Sequence, residues 1–511
     1  MAEVRRRLLS NTTYLLIAWI GSIFLNFFFQ LVATKTLLPE ELGTLAATIN
    51  FAALTSALLV FGMEHSTQRL AAYYIGKNKV EYLRSVLWFL LLVTIFLNAV
   101  SIGGLLLFSS KISDVLKLPQ NILFIGISVV FPLSMAAFFA GVLRGYQNMK
   151  YLTITAVVGD FLKLIVSVFL VLLGYKIFGF LIGYLTFAIS VFLLRISTVR
   201  MFISKIPKPN IKMIASYAIP AFITQLFWLL LLNGQYLIIS AIQGTYQTGL
   251  FAVGMLLSNQ IYFLPRIISD ALFPITSQFS GNRTFIKQQR NLLNLALRYS
   301  LLVSLPFLFF IVSFPKPLIF LIGRPHFFPA ADLVPILVSA ALVFGIATLL
   351  SRTLYAIGRP VLFQNISIIC AAFYLVSSIT LTYFFSVLGT SVAFLLTAIL
   401  LALISLPYLK RYIQFKIDFS SIFKILLSSF LTFVTLYLIS FFVPNLIIGG
   451  ILTALFTLLY FAILYFLKFY NINDIKILDF LSEKIPFLSR YTRLAKILIL
   501  KRIQQDPEEN K

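Results

Sequence analysis

The sequence predicts an all-α polytopic membrane protein with about fourteen transmembrane helices. Hydrophobic residues make up 60% of the 511 residues and charged residues only 11%, which is more apolar surface than a soluble core requires. A membrane-spanning helix takes roughly 20 apolar residues, and apolar runs of that size recur along the whole chain. Lysine and arginine also concentrate in alternate connections between these runs. The bilayer is therefore the expected solvent.

The apolar runs predict the position of each span. The first run is too long for a signal-peptide core, and no small-residue cleavage site follows it, so we expect it to be retained as a span. The fourteen predicted spans lie near 12–34, 42–62, 86–108, 121–142, 152–173, 178–199, 215–238, 248–272, 296–314, 332–355, 362–384, 388–408, 421–442 and 447–467.

The formal net charge of +25 is best explained by topology. Two basic residues, Lys163 and Arg266, lie well inside spans and are counted with neither side. With the N-terminus inside, 33 of the 41 Lys and Arg residues fall on the cytoplasmic side. This skew follows the positive-inside rule, so we expect cytoplasmic N- and C-termini and no nucleic-acid partner. The six basic residues on the predicted outer side are Lys35, Lys111, Lys117, Lys176, Lys316 and Arg324.

The chain contains two related halves of six spans each. At an offset of 206 residues, Gly43 matches Gly249 and Glu64 falls opposite Asp270. Because each half has an even number of spans, both copies start inside and the repeat is parallel. Such repeats place the substrate at their interface, near the membrane midplane. The related stretches are 41–64 with 247–270, and 141–154 with 352–366.

This organisation predicts five segments. The basic linker contains "PKPN". The tail carries apolar residues at helical spacing among basic ones, which favours a helix lying on the anionic inner leaflet over a solvated basic helix. The segments are an N-terminal six-helix lobe (1–200), a cytoplasmic linker (201–214), a C-terminal six-helix lobe (215–416), transmembrane helices 13 and 14 (417–470) and a cytoplasmic basic amphipathic tail (471–511).

The sequence lacks the features of an enzyme. It has no phosphate-binding loop, no HExxH motif and no loop large enough for a soluble catalytic domain. Cys370 is the single cysteine, and the two histidines, His65 and His326, lie in different halves. We therefore expect no catalytic residues, no metal site and no cofactor.

Polar residues form stripes along three predicted spans. On the eighth span, Asn259, Tyr262, Arg266 and Asp270 follow one another at three or four residues and share a face. The fifth span repeats this pattern with Asp160 and Lys163, and the first span with Asn26 and Gln30. The candidate substrate-binding residues are Lys163, Arg266, Asp160, Asp270, Asn26, Gln30, Gln225, Asn259 and Tyr262.

The free-energy cost of placing a charged side chain in the bilayer indicates what the charged helix faces contact. A charged side chain at a helix centre costs about 2.5–3.5 kcal/mol on insertion scales, so four facing lipid would cost roughly 10–14 kcal/mol. A protein interior or a water-filled cavity is the better environment. Two alternatives remain open: Arg266 could extend to the inner headgroups, and Lys163 could form a buried structural ion pair with Asp160.

Two stretches resemble a known family. "LLPEELGTLAATINFAALTSALLVFGMEHSTQRLAA" (37–72) resembles the second-helix region of polysaccharide flippases. "IFLIGRPHFFPAADLVPILVSAALVFGIATLLSRTLYAIGRP" (319–360) resembles their outer loop, long span and "A-x-Gly-Arg" turn. The chain is thus similar, over about 8–470, to the oligosaccharide-lipid flippases of the multidrug/oligosaccharidyl-lipid/polysaccharide exporter superfamily.

That resemblance implies two six-helix lobes around a central cavity, with alternating access. The implied substrate is an oligosaccharide on a polyprenyl phosphate or pyrophosphate, moved from the inner to the outer leaflet of a prokaryotic plasma membrane. Its implied partners are membrane lipids and a coupling ion, Na⁺ or H⁺, and we expect a monomer. Many relatives carry an aspartate where this chain has "NGQYLIIS" (233–240), so no role of that aspartate transfers.

The polar stripes suggest a mechanism. We expect Lys163 and Arg266, from different lobes, to attract the anionic headgroup, with Asp160 and Asp270 keeping them charged. The uncharged polar candidates would then bind sugar hydroxyls.

Three other functions remain open. A cation-coupled multidrug antiporter would need exchangeable acids, for which Glu64, Asp160 and Asp270 are candidates. A membrane glycan polymerase or glycosyltransferase would need catalytic groups on sizeable loops. A purely structural membrane protein would leave the charges within the spans unexplained.

Overall fold

The structure is a computed structural model that describes residues 21–197, 211–278, 286–440, 442, 446–470 and 474–475. Most of the predicted linker and nearly all of the predicted tail lie outside the described residues, as does the start of the first predicted span. The division into the five predicted segments stays a prediction. We call residues 21–197 the first half and residues 211–413 the second half.

Eight helices make up the described first half. They begin with α1, residues 21–36. The others are α2 (Pro39–Leu59), α3 (Met63–Gly76), α4 (Val80–Leu107), α5 (Ser109–Leu116), α6 (Gln120–Gly145), α7 (Met149–Leu172) and α8 (Lys176–Ile196).

The second half begins with a long helix that is followed directly by a short one, and two further long helices follow this half. Its helices are α9 (Ile211–Leu232), α10 (Gly234–Gln243), α11 (Thr245–Gln278), α12 (Ile286–Ser313), α13 (Pro315–Ile322), a 3₁₀ helix (Pro325–Asp332), α14 (Val334–Ala356) and α15 (Pro360–Ile413). The last two are α16 (Phe419–Ser440) and α17 (Leu446–Phe466).

The all-helical membrane fold predicted from the sequence is confirmed. Eleven helices of the described residues are long and apolar enough to cross a membrane, or twelve if α9 and α10 form one span. Large apolar side chains on their outward faces are exposed, as lipid contact requires: Phe96 (67%), Leu107 (83%) and Phe384 (74%) are examples.

Helix α15 contains two antiparallel helices. Ser386 interrupts it with a φ of 55°, and the Oγ1 atoms of Thr382 and Thr390 are only 2.5 Å apart. Eight residues of continuous helix would rise about 12 Å, so the chain must reverse at Ser386. The eleventh and twelfth predicted spans are therefore the two parts of α15.

The seventh span departs from its prediction. Instead of one helix over 215–238, α9 and α10 meet at an angle of 48°. The break lies at Asn233, directly before Gly234. Asparagine and glycine are both poor helix formers, which explains why the span bends here.

The offset of 206 residues predicted from the sequence also relates the first residues of corresponding helices. Thr245, Ile286 and Pro315 begin α11, α12 and α13, each 206 residues after the first residue of α2, α4 and α5. The next pair, α6 and α14, begin at Gln120 and Val334, an offset of 214. The eight residues of the 3₁₀ helix account for this increase, so that helix is an insertion in the second half.

The two halves also differ at the end of α2. There Phe61 and Gly62 have φ values of 46° and 70° and separate α2 from α3, whereas α11 is continuous through the corresponding positions. Left-handed backbone of this kind favours glycine, as Gly62 provides.

Candidate substrate cavity and the contacts that close it

A cavity of about 680 Å³ lies between the two halves. Helices α1, α2, α6, α7 and α8 line it on one side, and the region from α9 to α11 lines it on the other. Its size is in the range of small-molecule binding sites. The polar lining residues are Ser22, Asn26, Gln30, Asn50, Arg144, Thr153, Arg195, Asn233, Tyr236, Asn259, Gln260, Tyr262 and Arg266.

Three arginines line this cavity, and only Arg266 was predicted from the sequence. Arg144 and Arg195 come from the last turns of α6 and α8. Arg195 is 8% exposed, and its Nη1 donates to the Ala136 carbonyl at 2.9 Å while its Nε donates to Thr155 Oγ1 at 3.0 Å. These bonds hold a guanidinium in the cavity wall.

The environment of Arg266 differs in part from the prediction. Its guanidinium lies 5.6 Å from the centre of the Tyr262 ring. The predicted pair with Asp270 is long, at 3.9 Å, and Asp270 also accepts a short hydrogen bond from Arg352 of α14. Asp270 is thus shared between two arginines, because α14 packs against α11 where the stripe ends. Asp270 is not among the residues that line the cavity.

An equivalent ion pair occurs in the first half. Glu64 of α3 accepts a short hydrogen bond from Arg144 of α6, as Asp270 does from Arg352. Glu64 and Asp270 are the two acidic residues related by the offset of 206. In each half, therefore, an acid at or just beyond the end of the second span binds an arginine near the end of the fourth span.

Lys163 lies behind the cavity wall. Its Nζ donates to Asp160 Oδ1 and to Asn26 Oδ1, both at 2.7 Å, and lies 5.2 Å and 4.8 Å from the ring centres of Phe29 and Phe187. Lys163 is 2% exposed. Neither Lys163 nor Asp160 lines the cavity, contrary to our expectation. The buried ion pair left open by the sequence is what the structure contains, because Asn26 stands between the pair and the cavity.

Asn26 has a fixed orientation. It accepts from Lys163 through Oδ1, while Nδ2 donates to the Ser22 carbonyl at 2.7 Å and to Asp160 Oδ1 at 3.1 Å. An amide has two donor hydrogens and two acceptor positions. Both donors are used, so Asn26 has one acceptor position left.

Of the other residues predicted to bind substrate, some line the cavity and one does not. Gln30, Asn259 and Tyr262 line the cavity with Asn26 and Arg266. Gln225 does not line it, and its buried Oε1 has no hydrogen-bond partner among the described residues. Gln30 and Asn259 also line a narrower extension of about 90 Å³ towards the predicted outer end.

Helices α2 and α11 close the predicted outer end of the cavity. A Cβ atom on Gly43 would lie 1.7 Å from the Thr245 carbonyl oxygen, and one on Gly249 would lie 1.8 Å from the Pro39 carbonyl oxygen. Thr245 and Pro39 each lie four residues before the glycine of their own helix. The crossing is therefore symmetric, and only glycine lets the backbones come so close.

Two hydrogen bonds reinforce this crossing, with the same symmetry. Thr34 Oγ1 donates to the Ile322 carbonyl, and Ser240 Oγ donates to the Leu116 carbonyl at 2.5 Å. Ser240 and Ile322 lie 206 residues after Thr34 and Leu116. We call the two glycine contacts and these two hydrogen bonds the outer clasp.

A smaller contact joins the halves at the predicted inner end of α2. The ring of Phe61 stacks on Phe222 of α9, with centres 4.4 Å apart. A Cβ atom on Gly62 would lie 2.3 Å from the Ala218 carbonyl oxygen. Phe61 and Gly62 form the break between α2 and α3, so this contact involves a helix end rather than two continuous helices.

Comparison with known proteins agrees with this architecture. The family profile described as "Polysaccharide biosynthesis protein" matches residues 8–280. A relative from Methanocaldococcus jannaschii, "Uncharacterized membrane protein MJ1068", is 23% identical over 376 residues, which cover 69% of this chain and 74% of that protein.

Solved structures with the same fold include a lipid flippase and a multidrug transporter. "Lipid II flippase MurJ, inward closed conformation" has a TM-score of 0.71 and 18% identity, covering 88% of this chain and 98% of that one. An inward-facing multidrug resistance MATE transporter of the MOP superfamily has a TM-score of 0.61 and 14% identity, covering 77% and 94%. At these identities the likeness is one of fold. With more than half of its residues matched by the family profile, the chain belongs to the polysaccharide biosynthesis protein family.

Proposed function

We propose that this protein flips an oligosaccharide linked to a polyprenyl phosphate or pyrophosphate from the inner to the outer leaflet by alternating access. The observation that carries the proposal is the cavity between the halves, lined by Arg144, Arg195 and Arg266 and by amide and hydroxyl side chains. The proposal includes a monomer in a prokaryotic plasma membrane with cytoplasmic termini.

The arginines suit an anionic headgroup. A guanidinium presents several donors in a plane that matches phosphate oxygens. Arg195 is held by bonds to Ala136 and Thr155, so little reorganisation is needed when the headgroup enters. The ion pairs of Arg144 with Glu64 and of Arg266 with Asp270 moderate the attraction, which permits release.

The uncharged lining suits sugar hydroxyls. Gln30, Asn259 and Gln260 offer amide donors and acceptors, and Asn26 offers its remaining acceptor position. Lys163 acts indirectly in this scheme, because its bond to Asn26 Oδ1 fixes which amide atom faces the cavity.

The closed outer clasp makes this conformation one that receives substrate from the inner side. Export requires the clasp to open and the inner end to close further around the contact that Phe61 already makes with Phe222. An inside-negative potential favours outward movement of an anion by about 2.3 kcal/mol per charge per 100 mV. Coupling to Na⁺ or H⁺ is compatible with the scheme.

The multidrug antiporter is the second candidate, and the ion pairs argue against it. An antiporter needs acids that exchange cations, yet Glu64, Asp160 and Asp270 each bind a basic side chain. Cation-driven uptake of an organic dye by proteoliposomes would favour the antiporter.

The proposal is tested by flipping in proteoliposomes that contain a polyprenyl-pyrophosphate-linked oligosaccharide. We expect the wild type to move it and Arg195→Gln and Arg266→Gln to slow it at least about tenfold, since one hydrogen bond to a charged group contributes about 1.5–3 kcal/mol. Lys176→Gln, an exposed lysine at the predicted outer end, is the matched control. Unchanged flipping in the double variant Arg195→Gln/Arg266→Gln would overturn the proposal.

A further inference from the structure

The inserted 3₁₀ helix, Pro325–Asp332, has no counterpart in the first half. After α5 the first half reaches α6 through residues 117–119, whereas the second half needs residues 323–333 to reach α14. The insertion is firmly packed: Phe327 and Ala330 are both 0% exposed. A well-packed insertion that is present in only one of two related halves indicates a function specific to that half.

The insertion forms one wall of a cleft of about 410 Å³ at the predicted outer end. The facing wall comes from the first residues of α2 and α11, so both halves contribute. Glu40 and Tyr246 lie there at positions related by the offset of 206. The cleft therefore borders the outer clasp, where a substrate leaving the cavity would emerge. We call it the exit cleft.

The chemistry of the exit cleft suits a sugar ring. Leu38, Pro325 and Pro329 present exposed hydrocarbon surfaces, and Tyr246 is 45% exposed. The C–H face of a pyranose can pack on the face of an aromatic ring such as that of Tyr246. Glu40 and His326 add a carboxylate acceptor and an imidazole that can donate or accept, which suits hydroxyl groups. The carboxylate disfavours an anionic ligand.

We propose that the exit cleft binds a neutral hexopyranose unit of the exported glycan on the outer side. This inference rests on the proposed function for the identity of its ligand. The site would hold the emerged glycan once the outer clasp has closed again, and it would make return less frequent. Its affinity must be weak, because tight binding would retain the product.

Saturation-transfer NMR tests the site on full-length protein in nanodiscs. The probes are the methyl glycosides of glucose, galactose, mannose and N-acetylglucosamine, with glycerophosphoglycerol as a lipid-headgroup probe. We expect at least one glycoside to receive saturation from the wild type. Tyr246→Ala should weaken its binding about two- to tenfold, Tyr246→Phe should largely restore it, and Glu40→Gln should weaken it.

Two controls separate the exit cleft from the rest of the protein. Tyr175→Ala removes a tyrosine that is 55% exposed and does not line the cleft, and it should leave the signal unchanged. Arg266→Gln alters the cavity and should also leave it unchanged, so the cavity and the cleft can fail separately. The proposal is overturned if no glycoside receives saturation, if Tyr246→Ala binds the glycoside as tightly as the wild type, or if only glycerophosphoglycerol receives saturation.

Discussion

Gly43 and Gly249 lie against each other's helices at the same relative position. The position of a Cβ on either glycine is within 2 Å of the carbonyl oxygen four residues before the other. A contact between two equivalent residues places them beside the axis that relates the halves. At this crossing the halves therefore meet backbone to backbone.

Substituting either glycine should prevent the clasp from closing. In Gly43→Ala, the added methyl would meet the Thr245 carbonyl at 1.7 Å, so we expect the outer end to remain open. Double electron–electron resonance between spin labels at the outer ends of the two halves should show a longer distance. Gly103→Ala, with nothing within 4 Å of its Cβ position, is the matched control. Identical distance distributions in the two variants would contradict this role.

The two hydrogen bonds of the outer clasp should stabilise its closed state about equally. Thr34→Val and Ser240→Ala each remove one donor, and a hydrogen bond contributes about 0.5–1.5 kcal/mol, or two- to tenfold in the ratio of open to closed molecules. Spin-label distances measure that ratio. Ser128→Ala, which removes a bond within one helix, should have no effect. A large change in the ratio of open to closed molecules for one of these variants and none for the other would show that the two hydrogen bonds do not stabilise the closed clasp equally.

Removing one charge from the buried pair of Lys163 and Asp160 should destabilise the fold. Lys163→Met leaves the Asp160 carboxylate buried without its partner, which should destabilise the fold by about 3–5 kcal/mol. The double variant Lys163→Met/Asp160→Asn removes both charges and should recover most of the stability that Lys163→Met loses. Thermal unfolding in detergent measures both. A stable Lys163→Met variant that binds no substrate would instead make Lys163 a direct ligand.

The sequence predicted which helices are related and which faces are polar. The offset of 206, found from Gly43 and Glu64, reappears in the bounds of α11, α12 and α13. Helical periodicity also identified the stripe of Asn259, Tyr262 and Arg266, all of which line the cavity.

The sequence could not show which neighbour each polar face meets. Periodicity shows which face of a helix is polar, but it does not show which helix packs against that face. The sequence therefore could not indicate that Asn26 of α1 would separate Lys163 from the cavity. Arg144 and Arg195 were missed for a different reason. Both lie near the ends of spans, where basic residues are a topology signal, and only the packing of α6, α7 and α8 brings them into the cavity wall.

The contact of Phe61 with Phe222 should limit access to the cavity from the predicted inner side. Phe61→Ala removes the stack, so we expect faster modification of Asn259→Cys by a membrane-impermeant thiol reagent applied from that side. The background is Cys370→Ala, which removes the single native cysteine. Phe96→Ala, a lipid-facing phenylalanine that is 67% exposed, is the control. Equal rates in both variants would mean that the stack is no barrier.

Covalent closure of the outer clasp tests alternating access most directly. Lys35 Nζ donates to the Phe320 carbonyl across the halves at 3.2 Å, and both residues are exposed. In the Cys370→Ala background, Lys35→Cys and Phe320→Cys can be joined by a short bifunctional methanethiosulfonate reagent. We predict that joining them stops flipping of the polyprenyl-pyrophosphate-linked oligosaccharide and that reduction restores it. Undiminished flipping by the joined protein would contradict the account.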